Sequence, residues 1–169
     1  MISIPVNGSV LIKGGMGSGK TVMLKSMITY FTPGTANVTL ISPYVEDYKK
    51  LSDDGFFQSE AKTTEQAEQE IADAYQAFEE KWNGDNIGAT DARPSYLFID
   101  ETQIILKEIS HEAAEQLNKL VPLGHNVGIE VVAAGLYGLS HSAFVEQFHV
   151  IVDTEKGIIQ YRDSPMLVQ

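Results

Sequence analysis

Apolar positions recur along this chain either in short runs or at helical spacing, and the two patterns predict strands that alternate with helices. Buried strands are predicted at five apolar, β-branched runs, namely residues 10–12, 38–42, 96–99, 128–134 and 148–152. Residues 157–162 then predict a hairpin partner for the last strand. Because strands separated by helices imply parallel pairing, the expected fold is α/β, with a mainly parallel central sheet flanked by helices and a C-terminal β-hairpin.

The clearest helix follows Thr63, which can cap it together with Gln66. Five apolar side chains fall on one stripe of this helix: Ala67, Ile71, Tyr75, Phe78 and Trp82. The stripe places Trp82 in the core rather than against a bound base. The opposite face is acidic, which favours a solvated helix face over a binding site.

Shorter or weaker patterns complete the prediction of secondary structure. A helix follows the first strand, residues 44–51 predict a short helix or turn, and Ser110 caps a helix that extends to about residue 120. Residues 83–94 are rich in Gly, Asn and Asp and predict a flexible linker.

Length and composition restrict the class of protein. A chain of 169 residues suits a single domain spanning 1–169. There is no cysteine, no apolar run long enough for a membrane span and no signal peptide pattern at the start, so we expect a soluble protein of the cytoplasm. The net charge of −11 opposes passive adhesion to nucleic acid, so any grip on DNA requires a local patch repeated around an oligomer.

A phosphate-binding loop is the first motif that carries chemistry. Gly-Gly-Met-Gly-Ser-Gly-Lys-Thr at 14–21 matches G-x-x-x-x-G-K-[ST] and lies between a predicted strand and a predicted helix. Successive amides at the helix N-terminus can cradle phosphates, Lys20 can reach the outer phosphates, and Thr21 can ligate Mg²⁺. The expected ligands are therefore ATP and Mg²⁺. The expected nucleotide-binding residues are Gly14, Gly15, Met16, Gly17, Ser18, Gly19, Lys20, Thr21 and Val22.

A pair of acids is the second motif. Asp100 and Glu101 follow an apolar strand, and a carboxylate at the end of a parallel strand lies beside the phosphate loop. Asp100 is expected to hold the metal, and Glu101 to orient and deprotonate the attacking water. The separation of the two motifs fits the RecA-like (ASCE) P-loop NTPases, in which another strand lies between the phosphate-loop strand and the acidic strand. It disfavours the compact nucleoside-kinase plan.

Three segments resemble the HerA/FtsK superfamily of DNA-pumping ATPases, which includes genome-packaging ATPases of several viruses. They are residues 14–28, residues 40–43 with Tyr48, and residues 124–129, and the resemblance covers about residues 8–152. The chain also departs from the family. Ser42-Pro43-Tyr44 replaces Asp-Pro-Lys, His125 replaces an arginine, and Gly135-Leu136-Tyr137 replaces a Thr-Gln pair that senses the γ-phosphate, with Ser140 and His141 as the nearest polar candidates. His125 is expected either to contact a phosphate when protonated or to be structural.

The resemblance implies a ring in which a cation from the next subunit enters the active site. Arg93 and Arg162 are the arginines available for this catalytic role, and Lys107 is a further candidate. Lys49, Lys50 and Lys107 are also the expected contacts to a DNA backbone in a central pore.

We therefore expect an ATP-driven DNA translocase that acts as a pentameric or hexameric ring. The small size and the lack of an anchor, a winged helix or a nuclease favour a viral genome-packaging motor in the host cytoplasm or on the virion, docked to a capsid or portal-vertex protein. Three alternatives stay open: a conjugation or plasmid DNA pump, a small-molecule kinase, and a nucleotide-binding subunit without hydrolysis. Too few arginines for a lid disfavour the kinase, and Glu101 argues against the last.

Overall fold

The computed structural model describes residues 8–84, 93–135 and 143–162, and within these ranges seven strands form one sheet. The strands are β1 Val10–Lys13, β2 Asn37–Ile41, β3 Ser59–Ala61, β4 Ser95–Ile99, β5 Ile129–Gly135, β6 Val150–Asp153 and β7 Ile158–Tyr161. The helices are α1 Lys20–Ile28, α2 Lys49–Asp53, α3 Thr64–Trp82, α4 Thr102–Glu108 and α5 His111–Leu123. Short 3₁₀ turns occur at Val45–Tyr48, Gly124–Val127 and Val145–Gln147.

The sheet has the order β3-β2-β4-β5-β1-β6-β7. Strands β1 to β6 pair in parallel, and β7 is antiparallel to β6. Strand β5 lies between β1, which leads into the phosphate loop, and β4, which leads into Asp100. The predicted fold class, a RecA-like P-loop sheet with one strand between the two motifs and a C-terminal hairpin, is confirmed.

Apolar side chains cover both faces of the sheet, because alternate residues of each strand point to opposite sides. Odd-numbered residues such as Leu11, Leu97 and Val131 pack against α3, α4 and α5. Even-numbered residues such as Ile12 and Phe98 pack with residues of α1 and α2. Two separate hydrophobic layers result, and the strands β1, β4, β5 and β6 are buried between them.

The structure contains two elements that the sequence did not predict, and it corrects one prediction of burial. Strand β3 was not predicted, because Ser-Glu-Ala carries no apolar pattern and its backbone pairing with β2 makes it a strand. Helix α4 was not predicted either, because it begins directly after the acidic pair. Trp82 is 51% exposed and contacts Phe78 rather than filling the core, since it lies at the last residue of a 19-residue helix that extends about 28 Å.

Of the predicted linker at 83–94, residues 85–92 lie outside the described ranges. Among the helices that the structure does describe, none combines the length and the apolarity that a membrane crossing requires.

Candidate active site

The predicted site residues converge on one edge of the sheet, which we call the carboxyl edge because β1, β2, β4, β5 and β6 all end there. The phosphate loop follows β1, and its first amide, on Gly14, donates a hydrogen bond to the Gly135 carbonyl at the end of β5 (3.3 Å). The turn after β6 joins it, since the Thr154 amide donates to the Lys13 carbonyl (2.9 Å). Parallel pairing therefore brings segments distant in sequence to one place.

The phosphate loop ends on a backbone conformation that favours glycine. Gly19 has a φ of 90° and immediately precedes Lys20, the first residue of α1. The side chains of Met16 and Val22 are 93% and 68% exposed. Their predicted role in nucleotide binding therefore falls to their main-chain amides. The amide of Val22 belongs to the first turn of α1, where a helix favours an anion, and that of Met16 belongs to the loop before the helix.

Lys20 lies against the loop that it is predicted to serve. The residue is 8% exposed, and its ammonium donates a hydrogen bond to the Gly15 carbonyl at 2.6 Å. A phosphate oxygen is a charged acceptor and binds an ammonium more strongly than a neutral carbonyl does. A triphosphate in the loop can therefore draw Lys20 away from Gly15.

Thr21 and Asp100 meet at the end of the loop, as the metal prediction requires. The Thr21 hydroxyl donates to Asp100 Oδ2 at 3.2 Å, across 79 positions of sequence. A hydroxyl and a carboxylate are hard oxygen ligands of the kind that Mg²⁺ prefers when phosphates supply the others. The two side chains thus fit a magnesium ion shared with a nucleotide.

Tyr48 also reaches Asp100, which the sequence did not indicate. The Tyr48 hydroxyl donates to Asp100 Oδ2 at 2.5 Å, and the residue is 1% exposed. Burial, and next the charge of Asp100, raise the pKa of Tyr48 well above its ordinary value. The hydroxyl therefore stays protonated and acts as a neutral donor.

Glu101 occupies an unusual backbone conformation. Among the residues that the structure describes, it alone combines a side chain with a positive φ, at φ 53° and ψ 45°. Its carboxylate accepts a hydrogen bond from Gln103 Nε2 at 2.5 Å. The next residue, Thr102, is buried and donates to the Ala134 carbonyl at 2.8 Å, which fixes the start of α4 against β5. Such strained positions are typical of functional sites.

A second carboxylate, on Glu155, contacts the phosphate loop and was also missed. The Gly15 amide donates to Glu155 Oε1 at 2.8 Å, and a Cβ at Gly15 would collide with the same carboxylate. The neighbouring Thr154 hydroxyl is 2.6 Å from that of Ser18. The sequence predicted a strand before this turn, which places the turn at the carboxyl edge, but no local pattern indicates that Glu155 faces the loop.

The two arginines lie at the opposite side of the sheet, where the parallel strands begin, which we call the amino edge. Arg93 stands two positions before β4, and at about 3.3 Å per residue its backbone is roughly 20 Å from Asp100. The amide of Arg162 donates to the His149 carbonyl before β6, and its guanidinium pairs with Glu146 at 2.8 Å. Neither arginine belongs to the catalytic edge of its own chain.

His125 lies at the amino edge too, in the 3₁₀ turn before β5. Its ring contacts that of His149, with centroids 4.4 Å apart and the planes at 72°. This position, at the end of the sheet opposite the phosphate loop, favours the predicted structural role of His125 over a contact with a phosphate bound to the same chain. The predicted sensor region, including Leu136, Tyr137, Ser140 and His141, lies outside the described ranges.

The lysines expected to contact DNA carry local partners. Lys49 pairs with Asp53 at 2.7 Å, and Lys50 pairs with Asp54 at 3.0 Å. The surface of α2 is therefore balanced in charge. Lys107 is exposed on α4.

Comparison with known proteins supports the fold. No family model matches the chain, and no curated protein matches it. Among solved structures, Thermomonospora curvata EccC (ATPases 2 and 3), in complex with a signal sequence peptide, superposes with a TM-score of 0.69 at 15% identity, over 99% of this chain and 34% of that one. A structure described as an ATPase superposes with a TM-score of 0.68 at 14% identity, over 95% of this chain and 72% of that one. The conjugation coupling protein TcpA of pCW3, solved with ATPγS, superposes with a TM-score of 0.57 at 16% identity, over 90% of this chain and 50% of that one.

The chain thus spans about a third of the EccC structure and half of TcpA. At these identities the likeness establishes architecture. The fold is that of a RecA-like P-loop domain, which these secretion and conjugation ATPases share.

Proposed function

We propose that this chain hydrolyses ATP with the help of Mg²⁺. The contact between Thr21 and Asp100 is the observation that carries the proposal, because it unites two motifs far apart in sequence at the end of a phosphate loop. A structural loop with an incidental lysine has no reason to end on a buried carboxylate. The side chain of Asp100 is 4% exposed and so needs strong partners.

In the proposed reaction each residue has a distinct role. The loop amides and Lys20 bind and orient the phosphates, and Thr21 and Asp100 would hold Mg²⁺. The ion supplies neutralisation of the charge that develops on the phosphate oxygens. Glu101 orients a water molecule in line with the terminal phosphate and accepts its proton. Gln103 keeps the Glu101 carboxylate oriented between turnovers.

Arg93 and Arg162 are proposed as candidates for a catalytic cation supplied by a neighbouring subunit. Both lie at the amino edge, so only a copy docked head-to-tail could present them to a carboxyl edge. Head-to-tail contacts close into rings when the rotation allows it. We propose a pentamer or hexamer from the resemblance to ring-forming DNA pumps. Arg162 would have to exchange Glu146 for a phosphate, a stronger partner for a guanidinium.

We further propose that hydrolysis drives movement of DNA, with packaging of a viral genome in the host cytoplasm as the specific role and a capsid or portal-vertex protein as a further partner. The HerA/FtsK-like motifs support this proposal. A conjugation coupling protein of the same fold also supports DNA movement, and it favours a plasmid pump equally. DNA would be contacted by lysines that exchange their present carboxylate partners for phosphates.

Transport of a polypeptide is the second candidate. It is favoured by the pairing of Lys49 and Lys50 with acids, by the net charge of −11, and by the fold shared with a secretion ATPase seen with a signal peptide. A strongly acidic protein repels DNA, whereas a polypeptide carries no such uniform negative charge.

Steady-state hydrolysis of ATP tests the proposals together. For a DNA pump, double-stranded DNA should raise turnover at low salt, and the stimulation should fall as salt rises. Glu101→Gln should lower turnover by about 10²- to 10⁴-fold and keep nucleotide binding, whereas the exposed Glu79→Gln should change neither. Turnover that ignores DNA at every salt concentration contradicts DNA movement. The absence of turnover in the folded wild type contradicts hydrolysis itself.

A further inference from the structure

The hydroxyl of Tyr48 makes the shortest of the hydrogen bonds to Asp100, at 2.5 Å to Oδ2 across 52 positions of sequence. We infer that Tyr48 is a positioning residue, which holds the Asp100 carboxylate in the orientation that a magnesium ion requires. This inference rests on the proposed function. Tyr48 does not touch the metal or the nucleotide in this account, and it acts through Asp100.

The other donors to Asp100 cannot replace Tyr48. Oδ1 accepts from the Glu101 amide at 2.9 Å, a bond within adjacent residues that limits rotation of the carboxylate only on one side. Oδ2 accepts from Thr21 at 3.2 Å, but that hydroxyl must turn its own lone pair to the ion when magnesium arrives. Tyr48 is therefore the donor whose role is the same with and without metal.

The position of the Tyr48 hydroxyl is fixed by packing. The ring is buried at the end of the 3₁₀ turn Val45–Tyr48, and it meets Phe57 edge-on with centroids 6.3 Å apart. Lys25 Nζ of α1 lies 5.1 Å from the ring centre. Helix α1 starts at the phosphate loop, so the ring couples the loop's own helix to the connection after β2. A donor held this way cannot follow Asp100 if the carboxylate rotates.

Loss of the hydroxyl should weaken the metal site without emptying the phosphate loop. Removal of an outer-shell hydrogen bond to a metal ligand typically lowers metal affinity or activity by about 10- to 100-fold. In the proposed function the phosphates are bound by loop amides and Lys20, whereas the Tyr48 hydroxyl donates its hydrogen to Asp100. The expected signature is therefore a defect in magnesium affinity with nearly normal binding of metal-free nucleotide.

The test measures the affinity of the protein for a fluorescent, non-hydrolysable ATP analogue, first in EDTA and then at a series of rising Mg²⁺ concentrations. Tyr48→Phe should raise the Mg²⁺ concentration at half-effect by about tenfold or more, and it should change the affinity for analogue in EDTA by less than about twofold. The matched control is Tyr96→Phe, because Tyr96 is also buried but lies near the amino end of β4. It should leave both quantities unchanged.

Two tyrosine analogues keep the test decisive if Tyr48→Phe does not fold. Replacement of Tyr48 by 4-aminophenylalanine keeps a donor and should preserve magnesium affinity, whereas 4-methylphenylalanine fills the space without a donor and should lose it. Equal magnesium affinity in the donor and non-donor variants overturns the inference. A wild-type protein that does not bind the analogue at all instead overturns the proposed function.

Discussion

At the scale of single residues, Glu101 and Asp100 show how the chain holds acids where an anion must bind. Asp100 is buried and accepts three hydrogen bonds, from Thr21, Tyr48 and the Glu101 amide. Glu101 instead occupies the left-handed region at φ 53°, where a Cβ is disfavoured by about 1–2 kcal/mol. The surrounding contacts of α4 and β5 must therefore impose this conformation on Glu101.

The backbone strain at Glu101 predicts an unusual order of stability. We expect Glu101→Gly to be more stable than Glu101→Ala by about 1 kcal/mol, because both variants lose the same side chain and only glycine relieves the strain. At Gln76, an exposed position inside α3, the order should reverse, with Ala favoured over Gly by about 1 kcal/mol. Urea denaturation of the four variants measures both differences. The same order at the two positions would contradict a strained residue 101.

Glu130 is a buried acid at the amino edge, away from the proposed chemistry. It is 8% exposed, its Oε1 accepts a weak hydrogen bond from the Gly8 amide at 3.4 Å, and its buried Oε2 lacks a partner among the described residues. Burial raises the pKa of Glu130 to about 7, and the facing Tyr96 on β4 has its pKa raised to about 12, by burial and then by Glu130. The folded protein therefore prefers Glu130 protonated.

A pH-dependent stability follows from this shift. Since the pKa of Glu130 is higher folded than unfolded, its contribution is complete below the unfolded value of 4.5 and is lost as the pH rises through about 7. The free energy of unfolding of Glu130→Gln, relative to that of wild type, should therefore rise by about 1–3 kcal/mol between pH 4.5 and pH 8. The pKa of His149 is lowered by burial and then by His125, so the contribution of His149 to stability rises with pH. This contribution is expected to be the same in wild type and in Glu130→Gln, and it cancels in the comparison. Urea denaturation at pH 4.5 and pH 8 measures the difference in unfolding free energy between Glu130→Gln and wild type. The prediction is contradicted if this difference changes with pH no more than the difference between Glu79→Gln and wild type does.

At the scale of elements, α3 shows which features the sequence could predict. Its start was predicted from Thr63 and Gln66, and both bonds of the capping box are present. Its buried stripe was predicted from helical spacing and is confirmed at Ala67, Ile71 and Phe78. The far end was wrong at Trp82, because spacing gives the direction of a side chain and not whether the sheet extends beneath it.

The two aromatic residues of α3 should consequently differ in their effect on stability. Phe78 is 4% exposed, so Phe78→Ala should lower the free energy of unfolding by about 3–5 kcal/mol. Trp82→Ala should lower it by no more than about 1 kcal/mol, since half of that side chain already faces water. Equilibrium urea denaturation gives both values. A larger loss for Trp82 than for Phe78 would restore the original core assignment.

Contacts across many residues mark the limit of sequence-based prediction. The phosphate loop and the acidic pair were found because each is a local motif with a required neighbourhood. Tyr48 and Glu155 were missed as site residues because their partners lie 52 and 140 positions away, and only the sheet order brings them together. Strand β3 escaped prediction for a similar reason, since its identity depends on pairing with β2.

At the scale of the whole molecule, one sheet with two edges separates the functions that we propose. The carboxyl edge carries the phosphate loop, Asp100, Glu101 and Glu155, whereas the amino edge carries both arginines and the half-buried His125 and His149. The parallel pairing of the strands determines this separation, and the order β4-β5-β1 brings the two motifs near each other. A ring of such subunits could join opposite edges of neighbours and thereby complete each site.

Isothermal titration of Mg-ATP into the folded protein tests the central claim most directly. We predict saturable binding by the wild type, a loss of affinity of at least about tenfold in Lys20→Ala, and unchanged affinity in Lys50→Ala, which removes an exposed lysine from α2. A folded wild type that takes up no Mg-ATP, or a Lys20→Ala variant that binds as tightly as the wild type, would contradict the account.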